Sequence, residues 1–361
     1  MKRLLQVPEY VEDVRRVASL DLPWGKLRGR TILITGGTGL IGSFLIDVLN
    51  AAHLGCRVLL FGRSEEKART RFAEYWDEGW IDFVKWDAGV GMLGPQNTLN
   101  TRKGEGVVSV DYILHLASNT HPVSYATDPI GTIATNVIAL NNLLLLAADK
   151  RATRFLFASS NEIYGENRGD VELFDEKYCG YIDCNTLRAG YPESKRCGEA
   201  LCQAYIKQKG LDCVVARLTR TYGPTILPSD TKAISQFFNN ALRGEDIVLK
   251  SEGNQYYSYQ YVADSVSGLL TVLLKGECGK AYNIADESGD ITLRDLAALI
   301  AGQAKRKVVF DLPNAIESAG FSKATKARLN GSEIRHLGWE PFYSVRSGVA
   351  ECMSVLRNAK A

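Results

Sequence analysis

A doubly wound α/β fold, a parallel sheet covered by helices on both faces and followed by a smaller C-terminal α/β lobe, is what this sequence predicts. Three observations carry that expectation. Short β-branched runs alternate with longer helical stretches from Thr31 to Thr219. The runs contain few polar residues, as strands buried on both faces do. A glycine-rich turn, ITGGTGLIGS at 34–43, closes the first of them. The 361 residues suffice for two domains, or for one large domain with an appended lobe.

The first 30 residues are charged throughout and read as a helical extension. An amphipathic helix over 8–20 should pack on the body, away from any chemistry, and the segment is neither a signal peptide nor an anchor. The expected series is then strand 31–35, helix 42–54, strand 57–61, helix 64–77, strand 81–85, strand 110–117, helix 131–149, strand 154–159, helix 191–209 and strand 212–219. After Gly223 the pattern loosens, with an amphipathic helix at 292–304 and a strand at 307–310. The expected division is an extension at 1–30, a dinucleotide-binding domain at 31–223 to which 257–285 returns, and a substrate-binding lobe from 224–256 and 286–361. The crevice between the lobes is the expected ligand site.

Composition narrows the function. Lys and Arg number 43 against 41 Asp and Glu, a net charge of +2 that argues against wholesale binding to nucleic acid or an anionic membrane. No uninterrupted apolar stretch approaches the roughly 18 residues of a membrane span. The eight cysteines include no Cys-x2-Cys pair and there are four histidines, so no metal site is expected and the thiols read as reduced, in the cytoplasm.

Two constellations carry chemistry. Gly36, Gly39 and Gly42 stand where a strand ends and a helix begins, and their spacing gives a tight turn, a close backbone approach to a pyrophosphate and close helix packing. This is the turn of a Rossmann-type dinucleotide-binding fold, with NAD or NADP as the cofactor. Where a carboxylate would take the ribose of NAD, Arg63 and Ser64 stand instead. They lean slightly towards a 2′-phosphate and NADP, the alternative being that Arg63 stacks or faces solvent. Asp87 is either an acceptor for the adenine edge or a helix cap. The second constellation is Tyr191-x3-Lys195, two residues on one helix face, where a cation beside a phenol favours the phenolate and so a base. The strand 154–159 runs into Ser160, which can bring a hydroxyl to the same crevice.

With these motifs in place, the chain resembles the extended short-chain dehydrogenase/reductase family, and within it the nucleotide-sugar epimerases, dehydratases and decarboxylases. The resemblance runs from about Thr31 to Trp339 in ITGGTGLIGS, HLAS (115–118), DPIGTIATNVIALNNLL (128–144), ASSNEIYG (158–165), AGYPESKR (189–196), ARLTRTYGP (216–224), YQYVAD (259–264) and LGWEP (337–341). It implies that Ser160 bonds the sugar oxygen, that Tyr191 moves its proton, that Lys195 holds the nicotinamide ribose and that Asn136 supports Lys195 through water. Cofactor contacts are implied for Thr38, Leu40, Ile41, Asp87, Ala88, Leu116, Ala117 and Ser118, and substrate contacts for Thr120, Ser159 and Asn161; Arg220, Tyr257 and Arg328 are further substrate-binding candidates.

The details are most similar to UDP-glucuronate decarboxylases, with Glu162 where dehydratases and decarboxylases keep a Glu. Three positions depart from the related patterns. Asn161 replaces the Asp acid of the sugar 4,6-dehydratases. Tyr257 replaces an Arg four residues before Tyr261, and Arg220 replaces an Asn; loss of the Arg counts against decarboxylation of a uronate. The expectation is a nucleotide-diphosphate-sugar epimerase or dehydratase acting through a transient 4-keto sugar. Tyr191 would be the base, and Glu162 would be available to abstract the proton next to the ketone. A net NADPH-dependent reductase, a nucleotide-uronate decarboxylase and a non-catalytic dinucleotide sensor are the rivals. Arg220, helped by Arg328, is expected to meet the diphosphate. His115 reads as core and His121 as a loop residue near ligand, while the tyrosines of 256–261 either stack a base or pack. Helices 131–149 and 191–209 either form a homodimer interface or serve as internal core.

Overall fold

The computed structural model describes residues 3–88, 109–120, 125, 127–311 and 325–360, so His121 lies outside the described residues. The chain opens with α1 (Pro8–Ala18) and then alternates β1 (Thr31–Thr35), α2 (Leu40–Ala51), β2 (Arg57–Gly62), α3 (Glu65–Arg71), β3 (Ile81–Lys85) and β4 (Tyr112–His115). It continues through α4 (Pro129–Asp149), β5 (Arg154–Ser160), α5 (Gly190–Lys209), β6 (Cys213–Leu218), β7 (Arg220–Tyr222), α6 (Ala233–Arg243), β8 (Ile247–Leu249), β9 (Tyr256–Tyr261), α7 (Val262–Lys275) and β10 (Ala281–Ile284). The C-terminal part holds β11 (Asp290–Thr292), α8 (Leu293–Ala304), β12 (Val308–Phe310), β13 (Lys326–Ala327), α9 (Ser332–Arg335) and α10 (Val345–Lys360).

Seven parallel strands form the main sheet in the order β10-β6-β5-β4-β1-β2-β3. The order reverses between β1 and β4, which opens a crevice at their carboxyl ends. Alternation along each strand separates two cores. Ile32, Ile34, Val58, Leu60, Leu114 and Leu156 face the layer of α1, α2 and α7, whereas Leu33, Leu59, Ile113, Phe155 and Phe157 face α4 and α5. A smaller sheet is centred on β9, which pairs with β7, β11 and β13; β8 and β12 pair separately.

One expectation needs correction. The helix expected over 64–77 stops at Arg71, because Phe72, Tyr75 and Trp76 all enter the core and the chain turns at Gly79 with φ 78°. The N-terminal helix packs on the body as expected, with Tyr10, Val14 and Val17 buried and the Tyr10 hydroxyl donating to buried Asp47 on α2. By length and average composition α4 would also suffice to cross a membrane, although Thr132, Thr135, Asn136, Asn141 and Asn142 interrupt its apolar run. Its Leu140, Leu143 and Leu144 are fully buried against the sheet, the placement of a core helix.

Candidate active site

At the end of β1 the backbone turns through Gly36 with φ +72°, and a Cβ there would lie 2.8 Å from the amide nitrogen of Ala117 in the loop after β4. A Cβ on Gly42 would lie 2.4 Å from the Gly36 carbonyl oxygen. Only glycine lets these segments touch. At Gly39, α2 begins without a side-chain cap, so its first amide groups remain available to a pyrophosphate. Thr38, Leu40 and Ile41 on this side and Leu116, Ala117, Ser118 and Thr120 on the other are partly buried around the β1–β4 crevice. The cradle fits a dinucleotide. Arg63 is exposed at the end of β2, Ser64 accepts from the Lys67 amide as the cap of α3, and Asp87 and Ala88 follow β3.

Ser160 ends β5, and its hydroxyl accepts from the Glu162 amide. Tyr191 and Lys195 occupy the first two turns of α5, both buried. Burial pushes the Tyr191 phenol up to about 12, opposed by hydrogen bonding with Ser160 and Ser118. Burial lowers the Lys195 ammonium to about 7, opposed by the charge of Glu199. Lys195 Nζ donates to the Ala158 carbonyl at 2.8 Å and lies 5.9 Å from the Tyr191 ring centre. The expected lowering of the Tyr191 pKa by Lys195 is therefore not what the protein alone does, because desolvation favours the neutral form of both groups.

Asn136 accepts from Ser118 at 2.7 Å and donates to Ser194 at 2.9 Å, and Ser194 donates to the Tyr191 carbonyl. It fixes the start of α5. Ser159 also needs correction: its hydroxyl donates to Glu199 at 2.5 Å, and Glu199 is gripped at both oxygens by Arg217. Neighbouring strand residues face opposite ways, so Ser160 and Ser159 could not both face the crevice. His115 is fully buried against Thr35, and burial, reinforced by Lys195, lowers its imidazole to about 3.

Glu162 is not the free base of the sequence expectation. Arg188 donates to one of its oxygens at 2.7 Å and Arg220 to the other at 3.5 Å. Arg188 lies over the Tyr125 ring at 4.7 Å, and that ring is 4.9 Å from the Tyr191 ring. Arg220 is stacked 3.5 Å above the buried Tyr257 ring. Asn161 is buried beside Glu162. Arg328, expected to assist Arg220, lies over Tyr256 and faces Glu172 and Asp290 at 3.7 and 3.8 Å. Sequence reasoning missed Tyr125, Arg188 and Glu199. Only Glu199 had a signal, as the residue four after Lys195 on the same helix face. All eight cysteines are free thiols.

The model of the NAD dependent epimerase/dehydratase family matches residues 32–285. UDP-glucuronic acid decarboxylase 1 of Danio rerio is 32% identical over 326 residues, 89% of this chain and 71% of the relative. UDP-glucuronic acid decarboxylase 6 of Arabidopsis thaliana is 33% identical over 325 residues, 88% of this chain and 86% of the relative. A solved dTDP-glucose 4,6-dehydratase from Streptomyces venezuelae, with NAD bound, shares the fold with a TM-score of 0.76 at 24% identity, over 91% of this chain and 97% of that one.

Proposed function

The chain belongs to the NAD dependent epimerase/dehydratase family, and from that premise we propose that it oxidises a nucleotide-diphosphate uronate at C4 and releases the carboxylate as carbon dioxide. The protein is an enzyme of the extended short-chain dehydrogenase/reductase type. One observation carries the reading: beside the glycine cradle, Ser160 and the Tyr191–Lys195 pair stands a guanidinium pair bridged by Glu162, of which Arg188 is one aromatic ring from the phenol. The Arg missing at 257 had counted against decarboxylation. A guanidinium nevertheless lies over the Tyr257 ring, that of Arg220.

NAD, held by the glycine turn at 36–42 and by Lys195, would supply the acceptor for the C4 hydride and the donor for the closing reduction. Tyr191 takes the proton of the C4 hydroxyl, and Ser160 holds the resulting ketone oxygen. The substrate is then a β-keto acid: the C5–C6 bond breaks, its electron pair passes into the enolate at C4 and C5, and carbon dioxide leaves. Ser160 stabilises the enolate oxygen. Solvent protonates C5, and Tyr191 returns its proton to the C4 oxygen, so that one proton is consumed for each carbon dioxide released. Glu162 holds the arginines and abstracts no proton, its two oxygens both being engaged.

We take the cofactor to be NAD. The lean towards NADP rested on Arg63 and Ser64, but Ser64 caps α3, and Glu65 and Glu66 in the first turn of that helix would repel a 2′-phosphate. Epimerisation at C4 is the second reading, since Ser160, Tyr191 and Lys195 suffice for it. Incubating the NAD-loaded protein with UDP-glucuronate and with UDP-glucose, and weighing the products, decides. Loss of carbon dioxide from the uronate supports decarboxylation. Unchanged mass with inversion at C4 replaces it by epimerisation, and loss of water replaces it by dehydration.

The free thiols suit a cytoplasmic protein, which localisation by a fluorescent fusion would test. Exposed Ile130, Ile133, Ile138 and Leu145 along α4 support a homodimer, which a light-scattering mass of one chain would overturn.

A further inference from the structure

Three guanidinium nitrogens beside the catalytic phenol, Arg188 Nε and Nη1 and Arg220 Nη1, are buried and have no hydrogen-bond partner among the described residues. A buried, unpaired N–H of a charged group is costly, so natural structures seldom leave one without a purpose. Both arginines line one cleft with Asn161, Pro192 and Ala327. Each is fixed in orientation: Arg188 by Tyr125 and one oxygen of Glu162, Arg220 by Tyr257 and the other oxygen. Two cations face one anion, which leaves one positive charge in a largely dehydrated place. Among the described residues, the other acids on the cleft are Asp183, which is exposed and accepts from the Asn185 amide of its own turn, and Glu166.

We propose that Arg188 and Arg220 are the receptor for the carboxylate of the substrate sugar, with Glu162 as the internal counter-ion that holds the two guanidinium planes apart until that carboxylate arrives. The proposal rests on the uronate reading above and adds which residues recognise the acid. A carboxylate two bonds from C4 must lie close to the phenol that deprotonates the C4 hydroxyl. Arg188 lies there, one ring away, and Arg220 joins it through Glu162. Planar guanidinium groups with two or more free N–H bonds match carboxylate oxygens, whereas a neutral hydroxymethyl group would leave those donors unpaired. Arg220 is thereby assigned to the sugar, and the earlier expectation that it meets the diphosphate is replaced.

The test is calorimetric binding of UDP-glucuronate and UDP-glucose to the NAD-loaded protein, wild type and variants. The wild type should prefer the uronate by about tenfold or more. Arg188→Met and Arg220→Met should each collapse that preference towards unity while UDP-glucose affinity holds within about twofold, which also shows that the variants are folded. Glu162→Gln should move the other way and tighten uronate binding, because it removes the competing anion; weakened uronate binding with intact UDP-glucose binding would overturn the counter-ion role. If both arginine variants retain the preference while the wild type releases carbon dioxide from UDP-glucuronate, the receptor is overturned and the decarboxylase reading stands. A wild type that neither prefers the uronate nor decarboxylates it overturns both.

Discussion

Tyr191 and Lys195 hold their chemistry in reserve, since burial makes the phenol a poor base and the amine a weak cation until something charged binds beside them. Tyr191→Phe keeps the ring against Tyr125 and loses only the proton carrier. Cofactor binding should be nearly unchanged and turnover lower by at least about 10²-fold, read from steady-state kinetics alongside an NAD titration. Lys195 makes a prediction in pH. With its ammonium lowered to about 7, it is cationic below that pH and increasingly neutral above it in the free protein. Affinity for anionic NAD should therefore fall as pH rises above about 7, and Lys195→Met should flatten that slope in a titration series from roughly pH 6 to pH 9. Ser160, Tyr191 and Lys195 were legible in the sequence because spacing and position on a strand or helix suffice to place them. Asn136 was legible as a residue, but its bonds with Ser118 and Ser194 were not, because those partners arrive from two other segments.

Elements are tied together by a buried carboxylate. Asp47 on α2 accepts from Tyr10 on α1, from Arg71 on α3 and from Tyr75 beyond it, so three segments meet on one side chain. Asp47→Ala would leave a largely buried guanidinium and two buried phenols without their acceptor. The expected loss is about 3 kcal/mol, the lower end for a broken buried pair because the Arg71 side chain keeps 21% exposure. Urea unfolding should show a lower midpoint with an unchanged slope. The helix over 8–18 was legible from its apolar spacing, but its partner was not, because Asp47 looks like any polar residue of an otherwise apolar helix.

At the scale of the molecule, both ends of the chain converge on the start of α7. Asp264 there accepts from the Phe342 and Tyr343 amides, and Asp13 of α1 accepts from Tyr261 and Tyr343. Burial raises the Asp264 carboxyl to about 7, against the two amide bonds that favour its charge. A folded-state pKa above the unfolded value of about 4 means that the folded protein binds the extra proton. The stability it contributes is full below about pH 4 and is lost as pH rises through about 7. Wild type should accordingly be more stable relative to Asp264→Asn at pH 5 than at pH 8, by thermal melts of both proteins; a difference that does not vary with pH would refute the assignment.

The sequence by itself determined six of the seven strands of the parallel sheet, the glycine turn at its switch point and the Tyr-x3-Lys helix, because each is written in short-range periodicity that hydrophobic burial and backbone sterics enforce locally, whereas the edge strand β10 was seen only with the sheet assembled. Only the tertiary structure decided which side chains share a charge. Glu162, Arg188 and Arg220 lie 26 and 58 residues apart in pairs, on the turn after β5, the turn before α5 and the start of β7. No periodicity links such positions. Which charge neutralises which, and which guanidinium nitrogens are left facing the cleft, depends on distances set by the packing of the smaller sheet against the main one. Strand alternation in β5 turned Ser159 to Glu199, and pairing within the smaller sheet set Arg328 against Asp290 and Arg220 over the ring of Tyr257.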